Sequence, residues 1–108
     1  MKIIYNNILP VKGFVAINLF GVVFARKEHN PLSDRTINHE KIHTAQMREM
    51  LFIFFYIWYT IEWIVRFIKT GHSNLAYLTI SFEKEAHQHM HEKEYLNRRK
   101  LFSWIKYF

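Results

Sequence analysis

The chain predicts an α+β fold, a small N-terminal β-sheet or hairpin packed on a helical core. Three observations carry this. Turn formers crowd the first thirty residues, with short β-favouring runs between them. No Gly or Pro then interrupts the chain from Leu32 to Thr70. A histidine pair at helical spacing, His39 and His43, sits inside that stretch. With 108 residues the chain predicts a single domain, 1–108, with one modest core.

The turn formers are Asn6-Asn7, Pro10, Gly13, Gly21 and Asn30-Pro31, and the strands expected between them are Lys2–Tyr5, Phe14–Leu19 and Val22–Arg26. Pro31, Ser33 and Asp34 then supply helix-start chemistry, with Ser33 or Asp34 as N-cap. Run straight from His43 to Lys69, a helix would travel about 39 Å. Too little chain remains to bring Glu83 back to it, so a break or sharp bend is expected between about Arg48 and Phe55. Beyond the break, Met50 to Trp63 is the most apolar stretch of the chain, and Gly71 closes its helix as a C′ residue. This segment reads as a buried core helix with one sticky aromatic face, or as a membrane-associated or partner-docking helix. Its uninterrupted apolar run falls short of the ~20 residues that cross a bilayer. Glu62 and Arg66 follow at i and i+4.

His39-Glu40-Lys41-Ile42-His43 reads HExxH. Two His one turn apart reach a single tetrahedral metal at ~2.0–2.1 Å. Glu40, rotated about 100° from His39, stays out of contact with the metal yet close enough to take the proton of the water it activates. One ligand position remains open, and candidates cluster in Ser81–His89. Glu83 and His87 share one helix face, small Ala86 beside it permits close approach to the motif helix, and Glu85 points about 200° away from Glu83. Gln46 shares the metal-facing side and packs or hydrogen-bonds locally, whereas Lys41 and Thr44 face solvent. His29, His72, His89 and His91 read as solvated or surface groups.

HExxH followed some tens of residues later by Glu83-x-x-Ala86 resembles the gluzincins. Closest are the small minigluzincins and the cores of membrane metallopeptidases of the prenyl-protease and antibiotic-sensor types. The likeness covers roughly residues 14 to 90 and rests on about seven positions. It implies a zincin-like core, one zinc per chain held by His39, His43 and Glu83, Glu40 as general base, and peptide-bond hydrolysis of a peptide or protein substrate. It also implies an upstream edge strand, Phe14–Leu19 or Val22–Arg26, that pairs with extended substrate. Where the family places an Asp that orients a ligand His, this chain has His87, which either accepts the same hydrogen bond or competes for the metal. For the transition-state donor, His91 and Tyr95 are the placed candidates.

With no cysteine, disulfides and Cys-based zinc sites are excluded. A net charge of +6 suits nucleic acid or an anionic membrane face, but the basic residues scatter apart from Arg98-Arg99-Lys100, so no nucleic-acid partner is expected. The start of the chain lacks a convincing signal-peptide pattern, which reads as cytoplasmic, with peripheral membrane contact left open. The rival function is a non-enzymatic, membrane-associated or interaction module with a structural zinc. The apolar tail after Tyr95 either limits access to the zinc cleft or completes the core on the far side.

Overall fold

The computed structural model describes residues 1–108. Strands β1 (Lys2–Asn6), β2 (Ala16–Leu19) and β3 (Val22–Arg26) precede helices α1 (Asp34–Glu49), α2 (Ile53–Thr70), α3 (Ser73–Thr79), α4 (Ser81–His89) and α5 (Tyr95–Arg98). The architecture is α+β, as expected. The sheet order is β1-β3-β2, with β1 parallel and β2 antiparallel to β3.

A two-residue turn, Phe20-Gly21, joins β2 to β3, and both residues have positive φ (53° and 90°). That geometry matches the right-handed twist of the strands it joins. Gly21 adopts it freely. Phe20 is held there by Tyr56, whose ring lies 5.1 Å away and whose hydroxyl accepts the Phe20 N–H at 2.8 Å. Because β1 pairs with β3, Val22–Arg26 is the central strand, which corrects its reading as a substrate-binding edge. The other candidate, now Ala16–Leu19, is an edge. Its far end is closed, since the Tyr56 hydroxyl also donates to the Asn18 carbonyl at 3.1 Å.

Ser33 caps α1, its side chain accepting the Thr36 N–H at 3.2 Å. The asparagine of β2 ties the sheet to this helix. Asn18 Nδ2 donates to the Glu40 carbonyl at 3.0 Å and to Thr44 Oγ1 at 2.9 Å, so Thr44 packs against the sheet rather than facing solvent. Between α1 and α2 the chain turns by 109°, inside the window expected from chain closure. No Gly or Pro makes this bend. Leu51 and Phe52 carry it with φ of 52° and 59°, and the Ile53 N–H bonds the Leu51 carbonyl at 2.6 Å across a γ-turn. Gly71 closes α2 in the left-handed conformation, its N–H bonded to the Phe67 carbonyl at 2.8 Å.

Only Phe55 and Glu62 of α2 are buried, which corrects the reading of that segment as a core helix. The core sits where α1, α4 and the tail converge, with α2 contributing Phe55 and the inner edge of Tyr56, Tyr59 and Trp63. Met47, Phe55, Ile80, Phe82 and Trp104 form one cluster, Ile42, Ala86 and Tyr95 a second, and Val23, Ala25 and Leu32 a third under the sheet. Ala86 is fully buried, the close approach its small side chain was expected to permit. The tail completes the core. Trp104 packs on Phe82 with ring centroids 4.6 Å apart, and Tyr107 OH lies 2.7 Å from His89 Nε2. Its aromatic side-chain contacts are with Phe82, His89 and Trp58 rather than with His39, His43 or Glu83.

Candidate metal centre

Helices α1 and α4 bring His39, His43 and Glu83 to one point. His43 Nε2 lies 3.1 Å from His39 Nε2 and 3.2 Å from Glu83 Oε1, and His39 Nε2 is 3.3 Å from the same oxygen. Tetrahedral bonds of ~2.0–2.1 Å imply ligand–ligand edges of about 3.3 Å, so these three atoms have the spacing of one face of such a polyhedron. All three residues are buried, at 7%, 5% and 4% exposure respectively.

Tautomer chemistry sharpens the point. Gln46 Nε2 donates to the Phe82 carbonyl at 3.1 Å and to Glu85 Oε1 at 2.9 Å. Its amide oxygen is therefore turned to His43 Nδ1, 2.8 Å away. Nδ1 must carry the proton, which leaves the Nε2 lone pair aimed at the other two ligand atoms. His43 Nε2, Glu83 Oε1 and, in its Nδ1–H tautomer, His39 Nε2 thus present lone pairs to one point. Without a metal, burial pulls the His43 imidazole down, but the charge and hydrogen bond of Glu83 outweigh it and push the group up to about 9. Burial acts to raise Glu83, yet the two histidines hold its carboxyl well below the usual range.

His87 stands at the open side of the cluster and is exposed. Its Nδ1 donates to the Glu83 carbonyl at 2.8 Å and lies 3.6 Å from Glu83 Oε1, while its ring sits edge-on to His39 at 4.6 Å. His39, Glu83 and His87 offer ligand atoms within 4.8 Å of one another, a group that can hold a metal ion. The orienting acceptor that the sequence placed at His87 is found at Gln46 for His43. Glu40 is buried beside the cluster with no hydrogen bond holding its carboxylate, and burial raises its pKa.

Two residues of the site were missed from sequence. Tyr59 on α2 donates to Glu83 Oε2 at 2.6 Å, and Tyr77 on α3 stands beside Glu83 with its ring 6.1 Å from that of His87. Burial first, then the Glu83 charge, raises both phenols, so both stay protonated donors. Their signal was a Tyr seven residues into one helix and five into the next, which means nothing until the helices are placed. Tyr95 and His91 are not at the site, which corrects their candidacy as transition-state donors. Tyr95 OH donates to buried Glu85, and His91 lies exposed in the turn after α4.

Glu85 forms its own network behind the site. Arg99 reaches both Glu85 and Glu49, with side-chain exposures of 4%, 0% and 3%, and Arg98 pairs with Glu92. Two members of the basic run Arg98-Arg99-Lys100 are therefore consumed by acids. His89 is half-buried, stacked on Tyr95 with centroids 3.9 Å apart, rather than a free surface group. No known protein family, characterised protein or solved structure matches this chain.

Proposed function

We propose that this chain is a zinc-dependent peptidase of gluzincin type, with His39, His43 and Glu83 as ligands and Glu40 as general base. The observation that carries the reading is the triangle of candidate ligand atoms, with edges of 3.1–3.3 Å, lying beside a buried carboxylate that no protein donor restrains. Histidine nitrogen and carboxylate oxygen are the donor set of catalytic zinc. When bound, zinc lowers the pKa of an attached water and polarises the substrate carbonyl.

The residues do the rest. Gln46 holds His43 in the tautomer that presents Nε2, and Tyr59 occupies the second oxygen of Glu83, leaving Oε1 for the ion. Glu40 accepts the proton of the attacking water and returns it to the leaving amine. Tyr77, kept protonated, donates toward the oxygen on which charge develops. The exposed His87 marks the side from which substrate enters.

Glu40→Gln keeps the shape and removes the base. Zinc content should stay at one equivalent, while hydrolysis of a broad peptide library falls by ~10²-fold or more. Loss of zinc from that variant would make Glu40 a ligand and end the peptidase reading. His43→Ala should lose the metal outright.

A structural zinc is the second reading, and His87 favours it. As a fourth protein ligand it would close the site and leave no position for water. X-ray absorption of the zinc-loaded chain decides: three histidine nitrogens support closure, two support an open position.

A further inference from the structure

We propose that the outward face of α2, together with the groove between this helix and Phe108, docks onto an anionic phospholipid bilayer, with the helix lying in the plane of the interface.

Helix α2 is inside out. At about 100° per residue its side chains divide into two arcs. The inner arc carries Glu62, Arg66, Tyr59 and Tyr56, the polar groups that serve the protein. Glu62 accepts from Ser81 N–H at 2.7 Å and Ser81 Oγ at 2.6 Å, binding α2 to the start of α4. Along the outer arc run Ile53, Ile57, Ile61, Ile64 and Ile68, at 59%, 50%, 51%, 46% and 79% exposure. Thr60 is the one polar residue between them and their apolar neighbours, and no charge falls within the arc. A contiguous apolar face of this kind marks a surface that is covered in use.

Charge selects the cover. Beside the helix lies a groove of about 320 Å³, walled by Trp58, Ile61, Val65 and Phe108. Arg66 and Lys69 stand at the same groove. Its one acid, Glu62, is turned inward to Ser81 and paired with Arg66 at 3.5 Å. Arg66 is already paired with Glu62, so Lys69 supplies the rim charge, and apolar walls beneath it match an acyl chain under a phosphate headgroup. A second copy fits less well. Two-fold pairing would set the same cations against each other on a chain of net charge +6, whereas anionic lipid neutralises them. Spanning is a different matter. No single helix here is long and apolar enough to cross a membrane, and the Glu62–Ser81 bonds keep the inner arc against protein.

Lipid docking by α2 does not depend on metal binding between α1 and α4. Its test is co-sedimentation of the full chain with vesicles of phosphatidylcholine alone and of phosphatidylcholine mixed with phosphatidylglycerol. Binding should favour the mixture, weaken with salt, and bring Trp58 within reach of brominated acyl chains. Ile64→Glu with Ile68→Glu changes only exposed positions, so the variant should keep its circular dichroism and lose vesicle binding. Lys69→Gln should weaken binding to the mixture roughly fivefold. Undiminished binding by the double glutamate variant would overturn the proposal. A wild-type dimer that this variant dissociates, with no vesicle binding, would overturn it in favour of self-association. Recovery only in detergent after an alkaline carbonate wash would overturn it in favour of an embedded helix.

Discussion

Gln46 shows how one neutral side chain can organise a charged site. It is fully buried and spends both amide hydrogens on the Phe82 carbonyl and Glu85, so its oxygen has one remaining use, at His43. Gln46→Leu should therefore weaken zinc binding ~10–100-fold, the usual cost of removing a group that orients a ligand histidine. Competition with a chelator measures it, and unchanged affinity would mean that His43 is oriented by packing alone. Behind Gln46, the Arg99 guanidinium bridges Glu85 and Glu49 where all three are nearly dry. Arg99→Met leaves two buried carboxylates unpaired and should cost ~3–5 kcal/mol in urea denaturation at neutral pH. The sign with pH follows from Glu85. Burial acts to raise its pKa, but hydrogen bonds from Arg99, Tyr95 and Gln46 prevail and hold it below the ordinary carboxyl value. Its contribution is complete above the unfolded value of ~4.3 and fades as pH falls through the lower folded value. With chelator present, the gap between wild type and Arg99→Met should shrink below about pH 4. A constant gap would show that the ion pair is not its source.

Helix boundaries here are decided by two different devices. Gly71 ends α2 with the one residue that adopts left-handed backbone freely, whereas α1 ends by forcing Leu51 and Phe52 into that region. Phe52 has its reason in the cluster it joins, but Leu51 is 70% exposed and gains little. Leu51→Gly should be neutral or stabilising by up to ~1 kcal/mol, because relief of left-handed strain offsets the added freedom of the unfolded chain. The same change at Ile57, also solvent-facing at 50% exposure but inside α2, should cost ~1 kcal/mol. Opposite signs in paired denaturation curves support the strained bend, and equal losses would refute it. The tail belongs to the same scale. Trp104 is buried in the principal core cluster and Arg99 in the ion network, so truncation after Tyr95 should give an unfolded or insoluble chain. A soluble, cooperatively folding truncate would contradict that placement.

Across the whole molecule, the sheet and the helices meet through few groups, with Asn18 and Tyr56 as the polar links. The radius of gyration is 13.7 Å, close to the ~13 Å typical of a domain this long. Much apolar surface nevertheless stays outside on α2, so the interior is small. A ligand that joins α1 to α4 should therefore matter for global stability. Zinc at a hundredfold excess over its dissociation constant adds ~2.7 kcal/mol. Removing it with a chelator should lower the melting temperature by roughly 10 °C or more in a domain of this size. His43→Ala should melt at one temperature with or without chelator. A wild type indifferent to chelation would argue that no metal bridges the helices.

From the sequence alone came the α+β class, the third strand, the N-cap, the bend near residue 51, the Gly71 stop and the pairing of His39 with His43, whereas Glu83 came from the likeness to the gluzincins. These depend on local chemistry, on helical spacing, or on the length of chain needed to return to α1. Only the tertiary structure decided the strand order, because a parallel neighbour is chosen by a loop that carries no signal of its own. It alone placed Tyr59 and Tyr77 at the centre, turned Thr44 inward, and drew Glu85 and Arg99 into a buried pair. Each of those requires knowing which faces of two separate helices meet. The orientation of α2 belongs with them. An arc of isoleucine opposite an arc of Glu, Arg and Tyr is amphipathic whichever way it faces. Only the hydrogen bonds of Glu62 to Ser81 and of Tyr59 to Glu83 turn the polar arc inward and leave the apolar one outside.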